Sequence, residues 1–113
     1  MIPESRPLHP GEFVRELILD EFDLTQAQLA ESLGVSRRTI NQLVNGKRAM
    51  SAAMAWRLGK FTKTTPQLWM NMQIGLDLWD ALHSFSDEMD QIQPYTRKLY
   101  VDGNTETSGA TLT

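Results

Sequence analysis

A chain of 113 residues that is 41% hydrophobic and 22% charged has room for one modest domain and is too apolar to be generally disordered. Its formal net charge of −3 hides an asymmetry: 32–76 holds seven Lys and Arg and no acid, whereas the rest sets fourteen acids against four cations, a layout that steers a polyanion to one face. The absence of cysteine excludes disulfides and thiolate chemistry, and no apolar run reaches the roughly 18–20 residues of a membrane span; with an opening unlike a secretory signal, this fits a cytoplasmic protein.

Caps and periodicity predict five helices. The first opens at Pro10, a favourable first helical residue, and carries Phe13, Val14, Leu17 and Ile18 on one face through to about Phe22. Thr25 and Gln28 form a capping box for the second, which buries Leu29, Ala30 and Leu33 and stops at Gly34. Ser36 caps the third, which runs through Ile40, Leu43 and Val44 to Gly46. Ser51 caps a fourth containing Met54, Ala55, Leu58 and Phe61, and Thr65 with Pro66 opens a long fifth that continues to about Ser84. Beyond it, Leu99–Val101 is the one place for a short strand in an otherwise acidic and polar tail. The expected organisation is all-α: a helical domain over 8–65, a long helix over 66–86 and a tail over 87–113.

The second and third helices carry the function. Two capped helices joined by a Gly-led turn, with Leu29, small Ala30, Val35 and Ile40 to fill the crook, make a helix-turn-helix, whose second helix enters the major groove. On a helical wheel Ile40, Leu43 and Val44 gather on one side and Arg38, Gln42 and Asn45 on the other, and these three side chains can make paired hydrogen bonds with base edges. Ser36, Arg37 and Thr39 occupy the first turn, where phosphates or bases meet a helix N-terminus, and Gln26 does the same for the preceding helix. Lys47 and Arg48 follow the reading helix and are expected on the phosphate backbone.

Residues 25–48, with Asn45-Gly46-Lys47, resemble the helix-turn-helix of the lambda-repressor and Cro (XRE) type. Three further features resemble the HigA/VapI antitoxins: His9-Pro10-Gly11-Glu12, then Ala55-x-Arg57-Leu58, then Thr65-Pro66-x-x-Trp69-x-x-x-Gln73 with Asp77-Leu78. Leu76 departs from the pattern, standing where those antitoxins carry an aromatic. The resemblance implies a homodimer that binds a palindromic operator, represses its own operon and neutralises an mRNA-cleaving RelE-like (HigB) toxin by direct binding. It also implies DNA contacts at Ser36, Arg37, Arg38, Thr39 and Gln42.

The fifth helix carries two apolar stripes, Leu68, Met72, Leu76, Trp79 and Leu82 on one side, and Met70, Ile74, Leu78, Ala81 and Phe85 nearly opposite. One is expected to cover the reading domain and the second to meet another partner, as the dimer interface or a toxin-docking surface, since a stripe of that size is too apolar to leave wet. Nothing points to an enzyme or a cofactor. The two histidines, His9 and His83, lie on different helices, and there is no His-Glu-x-x-His pattern, Gly-rich phosphate loop or nucleophile elbow. Two rivals remain: a solitary repressor without a toxin, and a protein-sequestering module that no longer uses DNA.

Overall fold

Every helix start is held by the side chain immediately before it. In the computed structural model, which describes residues 3–96, five helices and no strand are found among the described residues. The first, α1, begins as an α-helix over Pro10–Phe13 and continues as a π-helix over Val14–Asp20. It is followed by α2 (Gln26–Leu33), α3 (Arg37–Val44), α4 (Ala52–Thr62) and α5 (Pro66–Asp90). The Thr25–Gln28 capping box closes reciprocally at 3.0 and 2.9 Å. Ser36, Ser51 and Thr65 each accept the backbone N–H three residues on. His9, beside Pro10, caps α1, its Nδ1 accepting the Gly11 N–H at 2.9 Å.

The π winding overturns part of the expected inner face of α1. An α period selects Val14, Leu17 and Ile18; the wider π turn selects residues four and five apart, and Val14, Ile18 and Leu19 are the buried ones. Leu17 is left 45% exposed. The helix also ends two residues before Phe22, in a turn closed by Leu24 N–H to Leu19 O at 2.9 Å, with Asp23 in the left-handed region at φ 55°.

The core joins Val14 and Ile18 to Leu29, Ile40, Leu43, Ala55 and Leu58. Burial of each Leu- or Ile-sized side chain stabilises the fold by about 1.5–3 kcal/mol. Two packing details account for sequence features that periodicity does not explain. A Cβ on Gly11 would lie 1.8 Å from the Leu43 carbonyl oxygen, so α1 crosses α3 where only glycine fits. Arg57 Nη1 donates to the Leu33 carbonyl at 2.6 Å, satisfying the end of α2 beside Gly34, whose φ of 73° is the left-handed stop.

The inner face of α5 is displaced from the expected stripe. Its buried residues are Trp69, Gln73 and Leu76, with Met72 packed nearby, while Leu68 is exposed. Apolar counting passes over this face because its anchors are partly polar. Trp69 Nε1 donates to Thr64 Oγ1 at 3.0 Å, and buried Gln73 accepts the Met50 N–H at 2.7 Å while donating to Asp77 at 2.8 Å. The helix has 25 residues, about 37 Å long, and passes the expected stop at Ser84. Phe85 (φ −140°, ψ 44°) breaks the helical geometry there, yet the chain resumes to Asp90, so Asp87–Asp90 belong to α5 and not to an irregular tail. Leu99–Val101 lie outside the described residues. No helix among the described residues is long and apolar enough to cross a membrane.

Candidate nucleic-acid interface

The wheel places α3 correctly. Ile40, Leu43 and Val44 are buried, and Arg38 and Asn45 are exposed on the other side. Arg38, Asn41, Gln42, Asn45 and Lys47 line one shallow depression. Side chains from neighbouring elements extend it. Gln26, at the first position of α2, accepts from Asn41 Nδ2 at 3.2 Å, linking the two helices of the motif. Arg48 turns back to donate from Nε and Nη2 to Gln42 Oε1, rather than standing free for a phosphate. Asn45 Oδ1 accepts from Arg15 Nη2 at 2.9 Å, and the same nitrogen donates to the Val44 carbonyl at 2.8 Å, so α1 props the end of α3.

Ser36, Arg37 and Thr39 sit at the head of α3, outside that depression. Ser36 and Thr39 share a hydrogen bond between their hydroxyls at 2.9 Å, besides the cap itself. Arg37 and Arg38 are both exposed. Among the described residues the one ion pair is Arg6–Asp80, so no carboxylate neutralises the cations of this face. Two residues of this surface fall outside the sequence expectation. Asn41 lies between Arg37 and Asn45 on the wheel, so its signal is in the sequence. Arg15 is distant along the chain, and nothing in its local pattern announces a contact with α3.

The residues expected at a dimer interface divide. Ile74, Leu78 and Phe85 are exposed and Ala81 is half-buried, whereas Met70 packs against the core. Leu78 and Ala81 line an apolar groove with Pro3, Gly75, Trp79, Leu82 and Met89. A Cβ on Gly75 would meet nothing within 4 Å, so the close approach it permits is left open on this surface.

Residues 14–69 match the helix-turn-helix family profile. The chain is 34% identical over 91 residues to the antitoxin HigA-1 of Vibrio cholerae, a match spanning 80% of this chain and 86% of that protein. Among solved structures, the Pseudomonas aeruginosa antitoxin HigA with the higBA promoter is 41% identical, with a TM-score of 0.76, covering 80% of this chain and all of that one. The antitoxin GraA in complex with its operator is 36% identical, with a TM-score of 0.77, covering 86% and 99% of the two chains. By its capped reading helix, its fold and these relatives, the chain belongs to the HigA-type antitoxins of the XRE helix-turn-helix family.

Proposed function

We propose that this chain is a homodimeric autorepressing antitoxin: it binds a palindromic operator through α3, pairs through the exposed stripe of α5, and neutralises an mRNA-cleaving RelE-like toxin by direct binding. The observation that carries the DNA reading is the carboxylate-free set Arg38, Asn41, Gln42, Asn45 and Lys47, on and just after the second helix of the motif and exposed but for half-buried Gln42. Arg37 and Ser36 stand at its N-terminus, where a phosphate is favoured by both the free amides and the helix dipole. Solved relatives bound to a promoter or an operator support the same use of the fold. A twofold pair of such heads matches half-sites about one helical turn apart, or a multiple of it.

Titration of the full chain onto duplex DNA from upstream of its own reading frame tests this. Affinity is expected to fall with salt by about 0.9 log units per phosphate contact for each log unit of salt. A flat dependence would favour the sequestering module. Coexpression with the polypeptide encoded alongside tests the second half: restored growth supports an antitoxin, and a harmless neighbour leaves a solitary repressor.

A further inference from the structure

The two ends of α5 carry opposite charge, and neither is neutralised within the chain. At the C-terminal tip Asp87, Glu88 and Asp90 are all exposed. At the other end Pro66 shares a depression with Trp56, Lys60 and Lys63, at the corner where α4 meets α5. Both lysines are exposed, and so is 66% of Trp56. Among the described residues the one ion pair is Arg6–Asp80, so these acids and lysines are unpaired. Apolar groups accompany the charge at the tip as well, since Ile92 and Tyr95, just past it, are 71% and 86% exposed.

The exposed stripe joins the two ends. Leu78, its most exposed member, is also the midpoint of Pro66–Asp90. In steps of four residues the stripe runs back from Leu78 through Ile74 and Met70 to Pro66. Forward, it passes Ala81 and Phe85 to Met89, which lines the same groove as Leu78 although the helical geometry breaks at Phe85.

Charge decides how two such helices lie together. Pointing the same way, they would set acidic tip against acidic tip and basic corner against basic corner. Pointing opposite ways and meeting at Leu78, they bring residues equally distant from it face to face: Asp90 level with Pro66, and Asp87 with Trp69. Pro66 and Asp90 each lie about 18 Å from Leu78 along the helix, so the tip of one protomer reaches the corner of its partner. Each acidic tip also meets the positive N-terminal end of the other α5.

We infer that the twofold pair is antiparallel along α5 and closed at both ends by charge, with Asp87, Glu88 and Asp90 of each protomer docked on the Trp56–Lys60–Lys63 corner of the other and Ile92 and Tyr95 covering Trp56. This rests on the pairing through α5 proposed above and adds its direction, its register and a second surface. A stable pair typically buries about 800 Å² on each partner, some 20–30 residues, which is more than the groove around Leu78 offers alone. Two corners, repeated by the twofold, supply the remainder. Exposed ion pairs set orientation more than affinity, and the orientation of the pair fixes the spacing of the two reading heads on DNA.

Sedimentation of the full chain without DNA tests this. Lys60→Glu with Lys63→Glu, and separately Asp87→Lys with Asp90→Lys, are each expected to weaken self-association by about 10–100-fold while keeping the parent's helical signal. Mixed together, the two variants are expected to pair with near-parent affinity, because a mixed pair again sets opposite charges at both corners. A role confined to one chain would give no such rescue. Should the lysine variant not fold, the acid variant answers alone, since cations suit a helix C-terminus: weakened pairing supports the corner and parent-like pairing overturns it. Parent-like self-association in both variants, or a mixture that pairs no better than either alone, overturns the corner contact and leaves pairing through the stripe in place. A parent chain that is monomeric at every concentration removes the pairing itself, and the corner with it.

Discussion

Arg48 donates two hydrogen bonds to the side chain of Gln42, from Nε at 3.1 Å and Nη2 at 2.6 Å, both to Oε1. Two donors on one atom fix the orientation of the amide, since a flipped amide would set N–H against N–H. Gln42 Nε2 is therefore the end of the amide left for a base on the proposed reading, a donor suited to the acceptors of guanine, or to N7 of adenine and O4 of thymine. Arg38→Ala with Gln42→Ala is expected to cost about 1–3 kcal/mol of operator affinity for each base no longer read, with the fold intact. Arg48→Ala is expected to weaken binding and also to relax base preference at the position Gln42 reads. Titrations against operators substituted one base pair at a time separate the two effects. A parent-like affinity in the double variant would show that α3 is not the reading helix.

Gly11 and Leu43 define how closely α1 approaches α3. The 1.8 Å from a hypothetical Cβ to a backbone oxygen cannot be relieved by rotating a side chain, so the two helices must separate. Gly11→Ala is expected to destabilise the domain by about 3 kcal/mol, a figure typical of overpacking. Thermal unfolding checks this, with an expected drop of roughly 10–15 °C. Gly75→Ala, where a Cβ meets nothing, is the matched control and is expected to leave a monomer's stability near that of the parent.

Local chemistry makes the helix-turn-helix legible. Thr25, Gln28, Gly34 and Ser36 each act within three or four residues of their own position, and the α period of α3 is strong enough to place Ile40, Leu43 and Val44 inside. Legibility ends where the period or the chemistry of burial changes. Leu17 is exposed against expectation because π winding shifts the inner face from a three-and-four to a four-and-five spacing, and no residue in Val14–Asp20 advertises that change. Trp69 and Gln73 escape a search for apolar stripes, which cannot see that a buried amide has a backbone N–H waiting for it at Met50. The links from Arg15 to Asn45 and from Arg6 to Asp80 span 30 and 74 residues, distances at which sequence pattern carries no signal without an alignment.

The cap of α1 is also a proton-sensitive contact. His9 Nδ1 accepts the Gly11 N–H, which requires an unprotonated nitrogen, and burial together with the positive charge of Arg6 holds its pKa below the ordinary histidine value. With the folded value lower than the unfolded one, the unfolded chain takes up the proton first as pH falls. Stability is therefore complete above the ordinary value of 6.5 and declines as pH drops from there toward the folded value. Asp80, held below its ordinary range by Arg6, adds a decline in the same direction at more acidic pH. Denaturant midpoints measured across this range are expected to fall on acidification, and His9→Ala is expected to remove the upper part of the fall. A midpoint that rises between about pH 7 and 5.5 would contradict the cap.

Leu78 is 67% exposed on a groove that also holds Gly75, Ala81 and Leu82, and its contribution to the domain's own core is correspondingly small. Placing a carboxylate there leaves the monomer's packing untouched but puts charge at the centre of any twofold contact along α5, where two copies would face each other across the axis. Leu78→Asp is therefore expected to yield a folded monomer by light scattering, with the α-helical signal of the parent. Operator affinity is expected to fall by about 10²–10⁴-fold, because the second reading head no longer binds at high effective concentration, while a single half-site is bound as before. The comparison on half-site DNA is what separates failed pairing from a damaged reading helix. A variant that remains dimeric would move the interface off this stripe and leave Ile74, Leu78 and Phe85 to some other partner.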